Sequence, residues 1–291
     1  MAEIPYINGL LIKPSSVSLL GVVTFTDGTN DVAPNQSQCE AYGYTYDIAS
    51  GTCSSFRYNT NLERSLTNIK NKFNGAGNTN GTGSNTIQIN GTNNTARGLN
   101  NNCLINGSDN EIANGVSNAV VFGANAEATT EAEFTIGGGK GSLSDSTDAE
   151  TFVSKRKTSV IELGGVTIDN TATNLTVQGG DSFINVEKNS IIGYDIYITR
   201  LELGGSSGTA GNYSYRNIRG AVKIDNSKAM SFVIGFSRGI ARIGVNGTCI
   251  MADSTTGGVP SISVNVQDRN NVNNLWSASV TLHEVVSATT F

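Results

Sequence analysis

The chain has 291 residues, 15% of them charged, with 34 glycines, asparagine about as common, and a formal net charge of −5. This composition excludes a helical enzyme of ordinary make-up and fits a turn-rich all-β protein long enough for two domains. The negative balance provides no basic surface for nucleic acid and opposes an anionic membrane, and no apolar run approaches the ~20 residues that span a bilayer.

Residues 1–58 are expected to form an N-terminal docking or anchor segment. Gly9-Leu10-Leu11-Ile12 is apolar, and Val17 to Phe25 has strand character closed by Asp27-Gly28. The plainer reading is a strand that caps the first coil of the repeat downstream. Cys39 and Cys53 bracket the tyrosine-rich stretch Tyr42-Gly43-Tyr44-Thr45-Tyr46 and form either a local disulfide or two buried thiols. Zinc needs four ligands and no histidine lies nearby, so no metal site is expected. Cys103 and Cys249 fall in strand-like runs as small hydrophobes.

The second segment, 59–141, begins with Thr60-Asn61-Leu62-Glu63, which has the form of a helix capping box. Leu62, Leu66, Ile69 and Phe73 follow at steps of four, three and four, the spacing of a short a/d seam. Two or three helical turns are unstable alone, and three copies meeting on an axis would bury one another's stripe; the other reading, which the many asparagines favour, is a lone amphipathic helix packed on its own chain or an irregular first coil.

From Gly75 to Gly139 one pattern returns every 16 residues. Phe73-Asn74-Gly75, Ile89-Asn90-Gly91, Ile105-Asn106-Gly107, Val121-Phe122-Gly123 and Gly137-Gly138-Gly139 hold equivalent places. Asn78, Asn94 and Asn110, with Ala126 in fourth place, keep the same step. Such a period marks a β-solenoid whose coils stack on one another. Glycine and asparagine suit the corners because they reach positive φ cheaply. A weaker second strand runs through Thr95-Ala96-Arg97, Glu111-Ile112-Ala113 and Glu127-Ala128-Thr129. So thin a coil encloses little apolar volume, which predicts that Ile89, Ile105 and Val121 join Leu62, Leu66 and Ile69 in the core of a homotrimer.

The string Ser117-Asn118-Ala119-Val120-Val121-Phe122-Gly123-Ala124-Asn125-Ala126, with the copies before it, resembles the left-handed β-roll repeats of trimeric adhesin heads and of phage and prophage fibres. The resemblance spans residues 75–139 and implies a trimeric fibre shaft. Met1 to Tyr6 lacks the basic region of an export signal, which weighs against a bacterial surface adhesin and for a virion protein assembled in the host cytoplasm.

Between Ser142 and Thr158 the repeat gives way to Ser/Asp/Thr-rich chain and the triplet Lys155-Arg156-Lys157, read as a solvated linker. Residues 159–291 then carry longer strands: Val160–Leu163, Leu175–Val177, Phe183–Val186, Ile191–Leu203, Tyr215–Asp225, Met230–Phe236, Ile240–Val245, Ile262–Val266 and Trp276–Val286. Several alternate, as in Ile262-Ser263-Val264-Asn265-Val266, which predicts a two-sheet sandwich of jelly-roll type. Ser159 to Leu163, Leu175 to Val177, Ala221 to Ile224 and Leu275 to Val285 resemble the terminal β-sandwich that closes many phage fibre proteins. The two resemblances together imply a structural fibre of the phage tail or head, docked to other virion proteins by its N-terminal segment and contributing to host attachment.

No constellation of catalytic residues is visible. His283 is the only histidine and sits on an alternating strand, and Gly137-Gly138-Gly139-Lys140-Gly141 lacks the ending of a phosphate loop. The expectation is therefore a protein with no cofactor that is not an enzyme. The alternative is a glycan depolymerase tailspike using two carboxylates, for which the repeat offers Glu111, Glu127, Glu131 and Glu133. For a host glycan or protein receptor, Tyr213 and Tyr215 beside Asn212 are the candidate contacts, with a trimer contact as their other reading.

Overall fold

The computed structural model describes residues 5–7, 9–18, 21–48, 50–55, 71–141, 154–287 and 290. Contacts divide the chain into two compact units, 1–69 and 70–291. The expected helix and its seam residues Leu62, Leu66 and Ile69 lie outside the described residues.

In the first unit, β1 (Lys13–Val17), β2 (Val23–Thr26) and β3 (Asp31–Val32) form a small antiparallel sheet. A six-residue helix, α1 (Gln36–Ala41), stands where the sequence suggested only a loop. Asn35 caps it and Gln38 closes the box by accepting from the Asn35 backbone. A hairpin of β4 (Thr45–Asp47) and β5 (Thr52–Ser54) comes next. Cys39 and Cys53 are joined, with Cα atoms 5.8 Å apart, and their bridge packs against Phe25, Val23 and Ile12. Tyr42 and Tyr44 set their rings edge-on to Phe25.

The second unit opens with the coils. Their main strands are β6 (Lys72–Asn74), β8 (Asn85–Thr92), β10 (Asn101–Ser108), β12 (Val120–Ala124) and β14 (Phe134–Gly141), all parallel. Their second strands are β7 (Thr79–Asn80), β9 (Thr95–Ala96), β11 (Glu111–Ile112) and β13 (Glu127–Ala128). Phe73 pairs with Ile89, Ile89 with Ile105 and Ile105 with Val121, which is the 16-residue step. The last step is 14, because Val121 pairs with Thr135 and Gly123 with Gly137. Gly139 is therefore not the fifth marker. Ala128 and Phe134 are two residues closer in sequence than Ile112 and Val120, so the shortening falls in that corner.

Ile89, Ile105 and Val121, one in each of three successive coils, are fully buried inside the stack of this single chain, in one core with Ala96, Ile112 and Ala128 of the second strands. This corrects their assignment to an oligomer core. Main-strand side chains alternate, so the residues that repeat most regularly are those that face inward. Those facing outward change from coil to coil: Lys72 and Asn74, Gln88 and Asn90, Leu104 and Asn106, Val120 and Phe122, then Phe134 and Ile136.

The repeated asparagines are a hydrogen-bond ladder, not a set of corners. Asn78, Asn94 and Asn110 donate through Nδ2 to the carbonyls of Gly91, Gly107 and Gly123 at 2.8–2.9 Å. Each Oδ1 accepts the backbone N–H of Asn94, Asn110 or Ala126 one coil on. Asn94 and Asn110 are buried, so a partner for every polar atom is what makes them tolerable there. Positive φ belongs to the preceding residue, at Gly77, Asn93, Asp109 and Asn125.

After the coils come β15 (Ser154–Thr167), β16 (Thr173–Asn174), β17 (Thr176–Val177), β18 (Ile184–Asn185) and β19 (Ser190–Gly204). They are followed by β20 (Tyr213–Ile224), β21 (Met230–Ile243), β22 (Thr248–Asp253), β23 (Ser261–Gln267) and β24 (Asn273–Val286). The two strands expected over 230–245 are one long strand, and residues 154–158, expected in a linker, begin β15. β14 pairs antiparallel with β15, so one sheet runs from the coils into the body in the order β6-β8-β10-β12-β14-β15-β24-β19-β20-β21. A smaller sheet of β16, β18, β22 and β23 covers its inner face. The core between them holds Leu175, Ile184, Ile196, Ile218, Val264 and Trp276. The Trp276 indole donates to Thr167 Oγ1 at 2.9 Å.

Candidate functional site

Because side chains alternate along each strand, residues paired across the five body strands stand in rows on the uncovered outer face. One row is apolar throughout: Val166, Leu275, Leu201, Tyr213 and Ile243 are partners in succession from β15 to β21. Their exposures are 53%, 47%, 41%, 38% and 56%, so none of the described elements covers them. Leu203, Ile168 and Val245 extend the apolar end of the face.

Four residues along the strands lies a polar row of Glu162, Ser279, Tyr197, Asn217 and Arg238. Tyr197 and Tyr215 stack with ring centroids 5.9 Å apart and planes 23° from parallel. Beside them a groove of about 340 Å3 is lined by Tyr197, Asn217, Phe236, Arg238 and Ile240. Asp195 accepts from Asn217 and pairs with Arg219 at 2.9 Å. Tyr213 and Tyr215 thus share a face but have different surroundings, Tyr213 in the apolar row and Tyr215 in the stack. Tyr197, Asn217, Phe236 and Arg238 escaped the sequence reading, since only strand register brings them together.

The acids considered for catalysis divide. Glu111 pairs with Arg97 on the coil surface and Glu131 is exposed. Glu127 and Glu133 enter a junction where the last coil meets the body, with Glu187 and Glu284 as further acids and Lys155 and Lys157 as bases. Lys157 Nζ donates to the Glu127 carbonyl at 2.8 Å and lies 3.4 Å from carboxylate oxygens of both Glu133 and Glu284. Glu133 also accepts from the Thr129 and Thr130 backbone and from Ser159 Oγ. The reading of Lys155-Arg156-Lys157 as a solvated linker face is corrected, since the Lys157 side chain is only 9% exposed. Alternation along 155, 157 and 159 was the available signal. His283 is on the outer face, with Nδ1 3.3 Å from Thr158 Oγ1 and, among the described residues, no carboxylate on its ring. Among the described residues no three His, Cys, Asp or Glu side chains converge as a metal site.

Burial shifts the junction acids. It raises Glu284 first of all, with Glu133 adding repulsion, and it raises Glu127 and Glu187, each with a neighbouring carboxylate adding to the effect. For Lys157 burial pulls the other way, but Glu133, Glu284 and Glu187 outweigh it and hold the ammonium above its usual value. A raised carboxyl contributes stability that is full below its ordinary value of 4.5 and is lost as pH rises through the raised value. Asp27, Asp169 and Asp225, lowered by hydrogen bonds, act in the opposite sense only below about pH 3.9. Acidification from pH 7 to 5 should therefore raise the urea midpoint, and Glu284→Gln should flatten that slope. A midpoint that falls over this interval would contradict the assignment.

No family model and no curated protein matches the chain. Among solved structures it is similar to the tailspike protein of Acinetobacter baumannii phage AM24, with TM-score 0.24 and 8% identity over 69% of this chain and 42% of that one. A second is tailspike gp49 of Acinetobacter baumannii bacteriophage Fri1, a capsular polysaccharide depolymerase, at TM-score 0.23 and 9% identity over 77% and 50%. The tailspike of Acinetobacter phage vB_ApiP_P1 gives 0.21 and 7% over 75% and 56%. The chain spans about half the length of these proteins, and similarity at this level assigns no residue a role. One of the three is named a depolymerase, against the expectation that this chain is not an enzyme, and that expectation is withdrawn. A lone histidine and coil-borne acids are no ground for that exclusion.

Proposed function

We propose that the chain is a segment of a phage tail spike or fibre, assembled as a homotrimer in the virion, whose body engages host-surface glycan. Within this reading residues 1–58 dock onto other virion proteins, 59–141 are the shaft and 159–291 are the host-facing body. Attachment and depolymerisation alike need a surface that holds sugar rings, and the tyrosine stack supplies one.

The observation that carries the assembly is the apolar row from Val166 to Ile243, five half-exposed side chains in register across five strands. A continuous band of this kind marks a surface meant to be covered. Covering it in a complex would contribute about 1 kcal/mol per residue, enough in three copies to hold subunits together. β21 reinforces the point, being an edge strand exposed along nearly its whole length on both faces. The choice of three copies rests on the likeness of the coils to trimeric fibres.

Static light scattering of the full chain should give three times the single-chain mass. Leu201→Asp with Leu275→Asp should give the single-chain mass with an unchanged circular dichroism spectrum, because both residues already face outward. A monomeric wild-type protein, or a doubly substituted protein that stays trimeric, would overturn the reading.

A further inference from the structure

We infer that the groove beside the tyrosine stack takes a negatively charged sugar unit, with Arg238 holding the anion and the Tyr197 and Tyr215 rings forming the platform for the sugar ring. The inference rests on the reading of the body as glycan-engaging and adds the charge class of the ligand.

Around the groove the cations are Arg219 and Arg238 and the anion is Asp195. Asp195 is already satisfied, by Arg219 at 2.9 Å and by the Asn217 amide. Arg216, on the same strand as Arg219, is likewise held, by the Gly247 carbonyl at 2.9 Å and Ser237 Oγ at 3.1 Å. The Arg238 side chain is exposed and makes no ion pair or hydrogen bond with the described residues. The groove therefore keeps one uncompensated guanidinium, in a chain whose overall charge is −5. A planar guanidinium offers paired N–H donors that match a carboxylate or phosphate. The acidic remainder of the chain disfavours a long polyanion lying across it and favours a single anionic group at this spot.

Shape agrees with charge. The volume of about 340 Å3 is at the small end of the range for ligand sites, roughly 300–1,000 Å3, which suits a sugar unit rather than an extended chain. Tyr197 on one side and Phe236, 43% exposed, on the other give apolar walls, as the C–H faces of a pyranose require. Asn217 lies four residues along β20 from Tyr213, about 13 Å, so the groove stands clear of the apolar row.

The test uses the full chain and three probes, methyl β-glucuronoside, methyl β-glucoside 6-phosphate and neutral methyl β-glucoside, titrated by ligand-observed NMR. At least one charged glycoside should bind no less than tenfold more tightly than the neutral one, and which one does identifies the anion. Arg238→Gln should abolish that preference, and Tyr197→Ala should weaken all binding. Equal binding of charged and neutral glycosides would overturn the inference and leave the glycan reading standing. Failure of all three to bind would overturn both. A preference that survives Arg238→Gln would place the anion elsewhere and overturn the assignment of this groove.

Discussion

Gly107→Val should lose about 3–5 kcal/mol of stability and unfold at a much lower urea concentration than the wild-type chain. Gly107 has φ of 144°, a conformation that a β-branched residue avoids. The larger effect is contact: a Cβ here would fall on the carbonyl of Gly123 in the next coil and lie 2.8 Å from Asn110 Nδ2. That carbonyl and that amide are hydrogen-bonded to each other, so neither yields without breaking the ladder. Gly115→Ala is the control. Gly115 also has positive φ, 78°, but a Cβ there meets nothing within 4 Å, so it should cost only the backbone strain of about 1–2 kcal/mol. Equal urea midpoints for wild type and Gly107→Val would refute this account of the coils.

Lys157→Met should be nearly as damaging at neutral pH, about 3–5 kcal/mol, because it removes the cation shared by Glu133 and Glu284 while leaving both carboxylates buried. The loss should shrink at pH 5, where Glu284, already raised by burial, can take up a proton and shed its charge. Adding Glu284→Gln to Lys157→Met should recover part of the loss at neutral pH. Urea titrations of the three proteins at pH 7 and pH 5 would decide this. A pH-independent loss would mean that packing rather than charge is what Lys157 supplies.

The coil was legible in the sequence because its determinants are local. Glycine and asparagine recur at a fixed step, and each acts on the coil directly above or below. What that regularity did not disclose was direction: Ile89, Ile105 and Val121 repeat because they face inward, where every coil must fill the same space. The outward positions, free of that constraint, drift from Lys72 to Phe134. The outer face of the body was illegible for a different reason. Val166, Leu275, Leu201, Tyr213 and Ile243 come from five strands, and neighbours in space are as far as 109 residues apart in the chain. No short window of sequence displays the row. Lys157 illustrates an intermediate case. Its charge suggested solvent, and only its position in β15, every second residue inward, places it among Glu133 and Glu284.

The placement of β24 sets an order on how the body can form. This strand is made after β15 and β19, yet it lies between them and pairs with both over nearly its whole length. Neither neighbour finds its long-range partner until residues 273–286 have left the ribosome. Completion of the large sheet therefore waits for residues 273–286, a closing event over high contact order rather than a growth from the N-terminal side. Only the last coil is tied to it, where β14 docks onto β15. The other coils are free of that order, because each pairs only with its neighbours, so winding can start at any of them and spread both ways before the body closes.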